Sequence, residues 1–244
     1  MQSPSLNSYA SGTPVTDGKT IYVSFLETGK QKIPAPNVGN KRLITPGRMV
    51  VAAYSSAGKK LWMVRPGDFV SAHGFCSSPV IYEDLLIVNG DHDGKSYMLA
   101  LDRKTGKTVW KVDRDIDYGS DNGDVMKAYG TPIVIEVNGE LQLISPAAKA
   151  TLAYNPNTGT ALWKLRYPQH SVAIRPMFRG GLLYLNTGFS PAQLLAIRPD
   201  GRGDITGTHV AWSVRRRVPS MPSQLLVGDV IYICLLYTSP SPRD

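Results

Sequence analysis

The chain has 244 residues, of which 42% are apolar and 19% charged, and its 27 Lys+Arg against 19 Asp+Glu give a formal charge of +8. This composition excludes a disordered chain or a coiled coil, its apolar runs are too short to span a bilayer, and its 2 cysteines cannot form a disulfide-rich scaffold. The 23 glycines and 18 prolines, spread evenly along the chain, indicate many short strands joined by turns.

In chain order, the first recurring signature is a proline before an apolar run, followed by a turn and a second apolar run. A proline fits the first position of a strand, where its missing N–H is tolerated, and Asp-Gly, Asn-Gly or Gly-Gly favours a tight hairpin. The copies begin at Pro14, Pro79, Pro132 and Pro176, and a fifth copy has Gln224 in place of the proline. Each copy therefore predicts an antiparallel hairpin.

A second signature follows each of the first four hairpins and ends in tryptophan. The four tryptophans, at positions 62, 110, 163 and 212, are separated by 48, 53 and 49 residues. Before Trp110 and Trp163 the chain reads Ala-x-Asx-x-x-Thr-Gly, which predicts a second hairpin with its glycine in the left-handed conformation. Two hairpins make a four-stranded unit of about 50 residues, which is typical of a propeller blade. The alternative is an irregular β-sandwich with chance similarities.

This second signature resembles the tryptophan-docking motif of the pyrroloquinoline-quinone (PQQ) repeat β-propellers, a family that includes quinone-dependent alcohol dehydrogenases and BamB-like outer-membrane assembly lipoproteins. The resemblance covers residues 8–233 and implies an all-β propeller, usually of eight blades, in which each tryptophan packs against the glycine turn of the adjacent repeat. The motif residues that we expect to be structural are Ala100, Asp102, Gly106, Trp110, Ala153, Gly159, Trp163, Gly58, Trp62, Gly207 and Trp212.

The repeat also predicts where the blades lie. We expect four blades and the start of a fifth, which are residues 8–66, 75–113, 129–166, 173–215 and 219–233. Residues 234–244 break the pattern and resemble the translation of a transposase sequencing adapter, so we expect them to be an artefact rather than a genuine proline-rich terminus. An open arc of blades leaves unpaired strand edges, from which we expect the chain to be a fragment of a larger protein.

Two long connections carry charge. Residues 26–48 are predicted to be a solvated basic loop between the second and third strands of the first blade. Residues 113–128 include Asp115, Asp117 and Asp121, carboxylates that could hold calcium. Counted from Asp115, however, the sixth and twelfth positions are not the glycine and glutamate of an EF-hand, so an acidic solvent loop is favoured.

Three smaller sets of residues could carry chemistry. Asp91, His92 and Asp93 could ligate a metal, although the following glycine favours a hairpin turn. His73 and Cys76 have the spacing of a metal pair or a Cys–His nucleophile but lack a completing group, which favours a core role for the cysteine. Residues 215–217 are three arginines without interleaved aromatic residues, which favours a solvated face over nucleic-acid binding.

Function has to be inferred from a site, since one fold serves many functions. The sequence shows no adjacent cysteine pair and no set that matches the quinone and calcium site of the dehydrogenases. We therefore expect a non-catalytic scaffold without a cofactor, which binds a protein or glycan partner through blade-end loops. We expect no nucleic-acid partner and no transmembrane segment. The resemblance implies an extracytoplasmic location. The alternatives are a fragment of a dehydrogenase, for which PQQ and Ca²⁺ would be the cofactors, and a sensor domain fused to another module.

Overall fold

The structure is a computed structural model, and it describes residues 11–35, 43–189 and 191–234. In the first blade the sheet order is β1-β2-β5-β6, and two short strands between β2 and β5, β3 and β4, pair with each other. The bounds are β1 Val15–Thr16, β2 Thr20–Thr28, β3 Ile33–Pro34, β4 Leu43–Ile44, β5 Gly47–Ser55 and β6 Lys60–Phe69.

The second blade consists of four antiparallel strands in chain order and is followed by one turn of 3₁₀ helix. The bounds are β7 Val80–Tyr82, β8 Leu85–Gly90, β9 Tyr97–Asp102 and β10 Thr108–Asp113, with the 3₁₀ turn at Gly123–Val125.

The third and fourth blades repeat this pattern, and one short strand crosses between them. Strand β18 lies in the last turn of the fourth blade but pairs in parallel with β14 of the third. The third blade has β11 Ile133–Val137, β12 Glu140–Pro146, β13 Ala150–Tyr154 and β14 Ala161–Arg166; the fourth has β15 Met177–Arg179, β16 Leu182–Asn186, β17 Leu194–Ile197, β18 Gly203–Asp204 and β19 Val210–Val214. A final hairpin, β20 Leu225–Val227 with β21 Val230–Tyr232, begins a fifth blade.

The predicted fold class, an all-β propeller of four-stranded antiparallel blades, is confirmed. The strand-initiating prolines lie directly before β1, β7, β11 and β15, and Gln224 lies directly before β20. The hairpin turns have the expected left-handed residues, for example Asn138 at φ 51° and Gly139 at φ 79°. Residues 235–244 of the predicted artefact lie outside the described residues, and Cys234 is exposed.

The solvated loop predicted over residues 26–48 is shorter than expected. Strand β2 continues to Thr28 and pairs there with Gly47 of β5, so the antiparallel ladder extends into both ends of the predicted loop. Glu27 on this extension forms an ion pair with Arg65, 2.6 Å from the guanidinium Nε. The basic composition of the segment suggests a solvated loop, but backbone hydrogen bonds extend the pairing of β2 and β5 into it.

The hydrophobic core lies between neighbouring blades. Successive side chains of a strand point to opposite faces of its sheet, so one strand serves two interfaces. In β9, Tyr97, Leu99 and Leu101 belong to the cluster shared with the first blade. Met98 and Ala100, on the opposite face, belong to the cluster shared with the third blade. Burying each large side chain contributes about 1.5–3 kcal/mol, which makes the contact between blades the main source of cohesion.

Because neighbouring strands of a blade run antiparallel, their turns lie alternately on two faces of the arc. We call the connector face the one that carries the connections between blades and the loop between the second and third strands of each blade. The hairpin face carries the remaining turns. The blade-to-blade segment 167–176 meets the end of β16 and the residues that follow it on the connector face, where the Phe189 N–H donates to the carbonyl of His170 at 2.8 Å.

Gly159→Ala should destabilise the protein more than Gly139→Ala. Both glycines have positive φ, 73° and 79°, and an alanine at either position carries the left-handed backbone strain. A Cβ on Gly159 would lie 2.7 Å from Cε3 of Trp110, whereas a Cβ on Gly139 would have nothing within 4 Å. We expect urea unfolding to show an additional loss of about 1–3 kcal/mol for Gly159→Ala. Equal losses in the two variants would contradict close packing at this junction.

Candidate functional site

Two of the tryptophans, Trp62 and Trp110, join neighbouring blades through one repeated contact. The indole N–H of Trp62 donates to the carbonyl of Arg103, and that of Trp110 donates to the carbonyl of Pro156, both at 3.0 Å. Each acceptor lies in the turn of the next blade, three residues after the motif alanine. Gly106 of the same turn lies beneath Trp62, and a Cβ at this position would be only 2.7 Å from the indole ring. The blades are therefore locked by a ring on a glycine and a hydrogen bond to the same turn.

The third junction uses a side-chain bridge in place of the direct hydrogen bond. Trp163 donates its indole N–H to Oε1 of Gln142 at 2.7 Å, and Nε2 of Gln142 donates to the carbonyl of Pro199 at 3.0 Å. Pro199 has the same position after its motif alanine, Ala196, as the acceptors of the other two junctions. The buried glutamine of the third blade therefore spans the gap that the insertion in the fourth blade creates. Sequence reasoning missed it, although a glutamine inside an apolar strand is an unusual residue to bury.

The turn that carries the motif glycine is held by its own acidic or amide side chain. Oδ1 of Asp102 accepts hydrogen bonds from the backbone N–H and the hydroxyl of Thr105, which lower the pKa of Asp102. In the fourth blade Oδ1 of Asp204 accepts the same pair of bonds from Thr206. Gly207, which the sequence aligned with the other motif glycines, is not left-handed and has open space around a built Cβ. Its role in the lengthened turn therefore differs from theirs.

A fully buried ion pair anchors the connector face. Arg114, just after β10, donates to both carboxylate oxygens of Asp91, at 3.0 Å from Nε and 2.7 Å from Nη2, and neither side chain is exposed. The same Nη2 donates to the hydroxyl of Ser145 at 2.8 Å, which in turn donates to Oδ1 of Asn89 at 3.1 Å. Although burial opposes it, the charge of Asp91 raises the pKa of Arg114, which remains a cation. The pair fixes the loop after β8 to the segment after β10, and the bond to Ser145 ties both to β12 of the third blade.

A second buried cation lies beside the first. Nζ of Lys127 is 2.7 Å from Oδ1 of Asp93 and 3.1 Å from Oδ1 of Asp124, and the lysine side chain is fully buried. Asp124 also lies 3.2 Å from Nε2 of His73, and Oδ2 of Asp93 accepts the backbone N–H of Ala72 at 3.1 Å. These contacts connect the segment after the first blade, the loop 91–96 and the segment after the second blade.

His92 is held as a neutral imidazole between the two aspartates. Its Nδ1 accepts the backbone N–H groups of Val70 at 3.3 Å and Gly94 at 3.1 Å, and its Nε2 lies 3.0 Å from the carbonyl of Lys95. This pattern requires the proton on Nε2 and none on Nδ1. Burial lowers the pKa of His92, although the carbonyl and nearby carboxylates oppose the shift.

The candidate metal ligands of the sequence are thus placed apart or already paired. Asp91 and Asp93 each face a buried cation. Asp115 forms a salt bridge with Lys164 at 2.7 Å, and Asp117 accepts a backbone N–H within its own turn. Across residues 11–35, 43–189 and 191–234, no group of three or more His, Cys, Asp or Glu side chains is placed to hold a metal ion. Ca²⁺ prefers several carboxylate and carbonyl oxygens together, whereas Asp91, Asp93 and Asp115 are each paired with a cation.

A pocket of about 510 Å³ opens on the inner side of the arc. Its lining comes from the innermost strands of the third and fourth blades and from the residues before β20. These residues are Ile133, Val134, Ile135, Arg175, Pro176, Met177, Phe178, Ser223 and Gln224. The pocket is therefore apolar on its walls and carries one cation and two neutral polar groups.

The fold and the junctions define a β-propeller of tryptophan-docking repeats. The family model described as outer membrane protein assembly factor BamB matches residues 7–147, more than half of the chain. The chain therefore belongs to this family, and the resemblance drawn from its repeats is confirmed.

Solved structures of the same fold accompany this match. BamB from Moraxella catarrhalis is 14% identical, with a TM-score of 0.53, over 92% of this chain and 67% of that one. A quinohemoprotein alcohol dehydrogenase from Pseudomonas putida HK5 is 16% identical, with a TM-score of 0.50, over 86% of this chain and 39% of that one. The chain therefore spans about two thirds of the first protein and well under half of the second. No curated protein sequence matches it.

In the part of the chain that the structure describes, no helix is long and apolar enough to cross a bilayer.

Removing one partner of the buried ion pair should be costly. Arg114→Met leaves the carboxylate of Asp91 buried without its cation, and we expect a loss of about 3–5 kcal/mol in urea unfolding. The double variant Arg114→Met with Asp91→Leu should be more stable than the single variant, because no charge is left unpaired. As a control, Arg166→Met removes an exposed pair with Asp204 and should cost about 0–1 kcal/mol. A single variant as stable as this control would refute the buried pair.

Stability should fall when His92 is protonated. The unfolded histidine titrates near pH 6.5 and the folded one at a lower pH because of burial. The unfolded state therefore takes up the proton first, and the free energy of unfolding decreases as the pH falls through about 6.5. We expect His92→Gln to have a shallower decrease between about pH 7 and 5.5, measured by urea unfolding. Part of the slope should remain, since burial also lowers the pKa of His170. Identical slopes would show that His92 does not titrate in this range.

Proposed function

We propose that this chain is a non-catalytic, extracytoplasmic binding scaffold that recognises a protein or glycan partner through its connector face. The observation that carries the proposal is the pairing of buried charges on this face. Arg114 and Lys127 are fully buried cations of the segment after β10, and each binds a carboxylate of the loop 91–96. The two ion pairs fix loops to one another, and neither lysine nor carboxylate of these pairs is available as a base or nucleophile.

Rigid loops on a rigid framework favour recognition. Loops that are already ordered lose little conformational entropy when a partner binds, and that saving raises the affinity. The backbone contributes to the same rigidity, because the Asp93 N–H donates to the carbonyl of Val70 at 2.8 Å and the Arg114 N–H to that of Ser96 at 2.9 Å. The family description, an outer membrane protein assembly factor, supports both the scaffold role and the extracytoplasmic location.

The second candidate is part of a quinone-dependent alcohol dehydrogenase, which the likeness to the Pseudomonas putida enzyme favours. The arrangement of the described carboxylates does not favour the dehydrogenase, since Asp91 and Asp93 each pair with a buried cation. The two candidate functions differ in whether the protein binds PQQ, which can be measured directly.

The scaffold proposal predicts that the purified chain does not retain PQQ. After incubation with PQQ and Ca²⁺ and removal of free cofactor, the absorbance spectrum should show no stoichiometric quinone, and dye-linked oxidation of primary alcohols should not exceed the rate without protein. A reconstituted quinoprotein dehydrogenase, treated in parallel, serves as the positive control. Stoichiometric quinone with alcohol-dependent dye reduction would overturn the proposal in favour of the dehydrogenase.

A further inference from the structure

We propose that the connector face of the fourth and fifth blades binds an acidic, extended peptide segment of a partner protein, with an apolar side chain of that segment in the inner pocket. This proposal rests on the scaffold function and names the surface and the chemistry of its partner. The surface, which we call the arginine surface, consists of the segments 166–176 and 215–224 and of the described residues of the loop after β16, which are 187–189 and 191–193.

The arginine surface carries cations that nothing in the described structure neutralises. Its three segments contain five arginines and no aspartate or glutamate. Arg166 pairs with Asp204 at 3.1 Å. Among the described residues, no acidic side chain forms a salt bridge with the other four, which are Arg175, Arg215, Arg216 and Arg217. All four are exposed, and Arg175 also lines the pocket.

Hydrogen bonds join the three segments into one continuous surface. Nδ2 of Asn186 donates to the carbonyl of Pro219 at 2.7 Å, which ties the end of β16 to the segment after the fourth blade. Nε2 of Gln169 donates to the carbonyl of Pro191 at 2.9 Å. Since the segments are held together before any partner arrives, the arginines are presented by a preformed surface.

The surface also exposes apolar side chains beside the cations. Phe189 is 50% exposed and Met221 is 65% exposed. The inner pocket continues the surface, because Arg175 lines it together with Met177 and Phe178. An apolar pocket of this size with a cation at its rim suits an apolar side chain next to a carboxylate.

The chemistry of the surface identifies an acidic peptide as the partner. Guanidinium groups bind carboxylates through two parallel hydrogen bonds, and the apolar walls of the pocket suit an apolar side chain. Single-stranded nucleic acids bind proteins through successive aromatic platforms, and Phe189 is the one aromatic side chain exposed on this surface. A bilayer presents a flat surface of lipid headgroups, which does not enter a concave pocket. The combination of cations and a pocket therefore favours a peptide.

The test measures binding of a fluorescein-labelled dodecamer in which Glu alternates with Leu, Phe and Gly. We expect saturable binding by fluorescence anisotropy, and weaker binding of two matched peptides, one with Gln for Glu and one with Ser for Leu and Phe. The variant Arg215→Glu, Arg216→Glu, Arg217→Glu should weaken binding by at least about tenfold, because it replaces attraction with repulsion. The matched control Lys59→Glu, Lys60→Glu, Lys107→Glu changes the net charge equally on the hairpin face and should bind like the original chain.

Each outcome decides the proposal. A loss confined to the arginine variant supports it. Equal losses in both variants, no binding by the original chain, or tighter arginine-dependent binding of single-stranded DNA or phosphatidylglycerol vesicles would overturn it. If the triple arginine variant does not fold by circular dichroism, Arg216→Gln and Phe189→Ser, both exposed, replace it with the same criteria. Absence of peptide binding without quinone binding rejects this surface alone, whereas quinone binding rejects the scaffold function as well.

Discussion

The contact of a tryptophan ring with the glycine turn of the next blade is the constraint on which this fold depends. It fixes the distance between two sheets, because the ring lies where a Cβ would otherwise be. It also fixes their register, because the indole N–H has one acceptor, such as the carbonyl of Arg103 for Trp62. Once two sheets are held this way, the alternation of β9 places its side chains in the cores on both sides. The repeat in the sequence is the record of this contact.

The buried charges build on that framework. Taking a guanidinium and a carboxylate out of water is costly unless the geometry is close and the remaining hydrogen bonds are satisfied. Arg114 meets these conditions through two bonds to Asp91 and one to Ser145. Polar groups of this kind specify one arrangement of the loops, whereas apolar side chains would tolerate several. The connector face is thus defined by directional bonds and the interior between blades by packing.

The sequence predicts the parts of the structure that local rules determine. Prolines before strands and glycines with positive φ report the conformation of their own residues, so the hairpins and the blade order could be derived. The ion pairs could not be, because Arg114 lies 23 positions from Asp91 and the pairing depends on how the loop after β8 and the segment after β10 meet in space. From the sequence alone, Asp91 and Asp93 fit a turn and a metal site equally in spacing, and neither pattern reveals their cations. The Gln142 bridge was missed for the same reason, because its two partners come from different blades.

That bridge has a consequence for the tolerance of the fold to insertions. A side-chain amide has a donor and an acceptor at its tip, so it can span a gap that a direct indole-to-carbonyl bond cannot. The turn between Ala196 and Val210 is longer than its counterparts, yet the junction behind it is still closed, and Ile205 from this turn joins the core beside Trp163. The fourth blade therefore shows how a propeller of this kind can accept foreign sequence between its third and last strands. For protein engineering, this turn is a natural position for grafting a recognition loop.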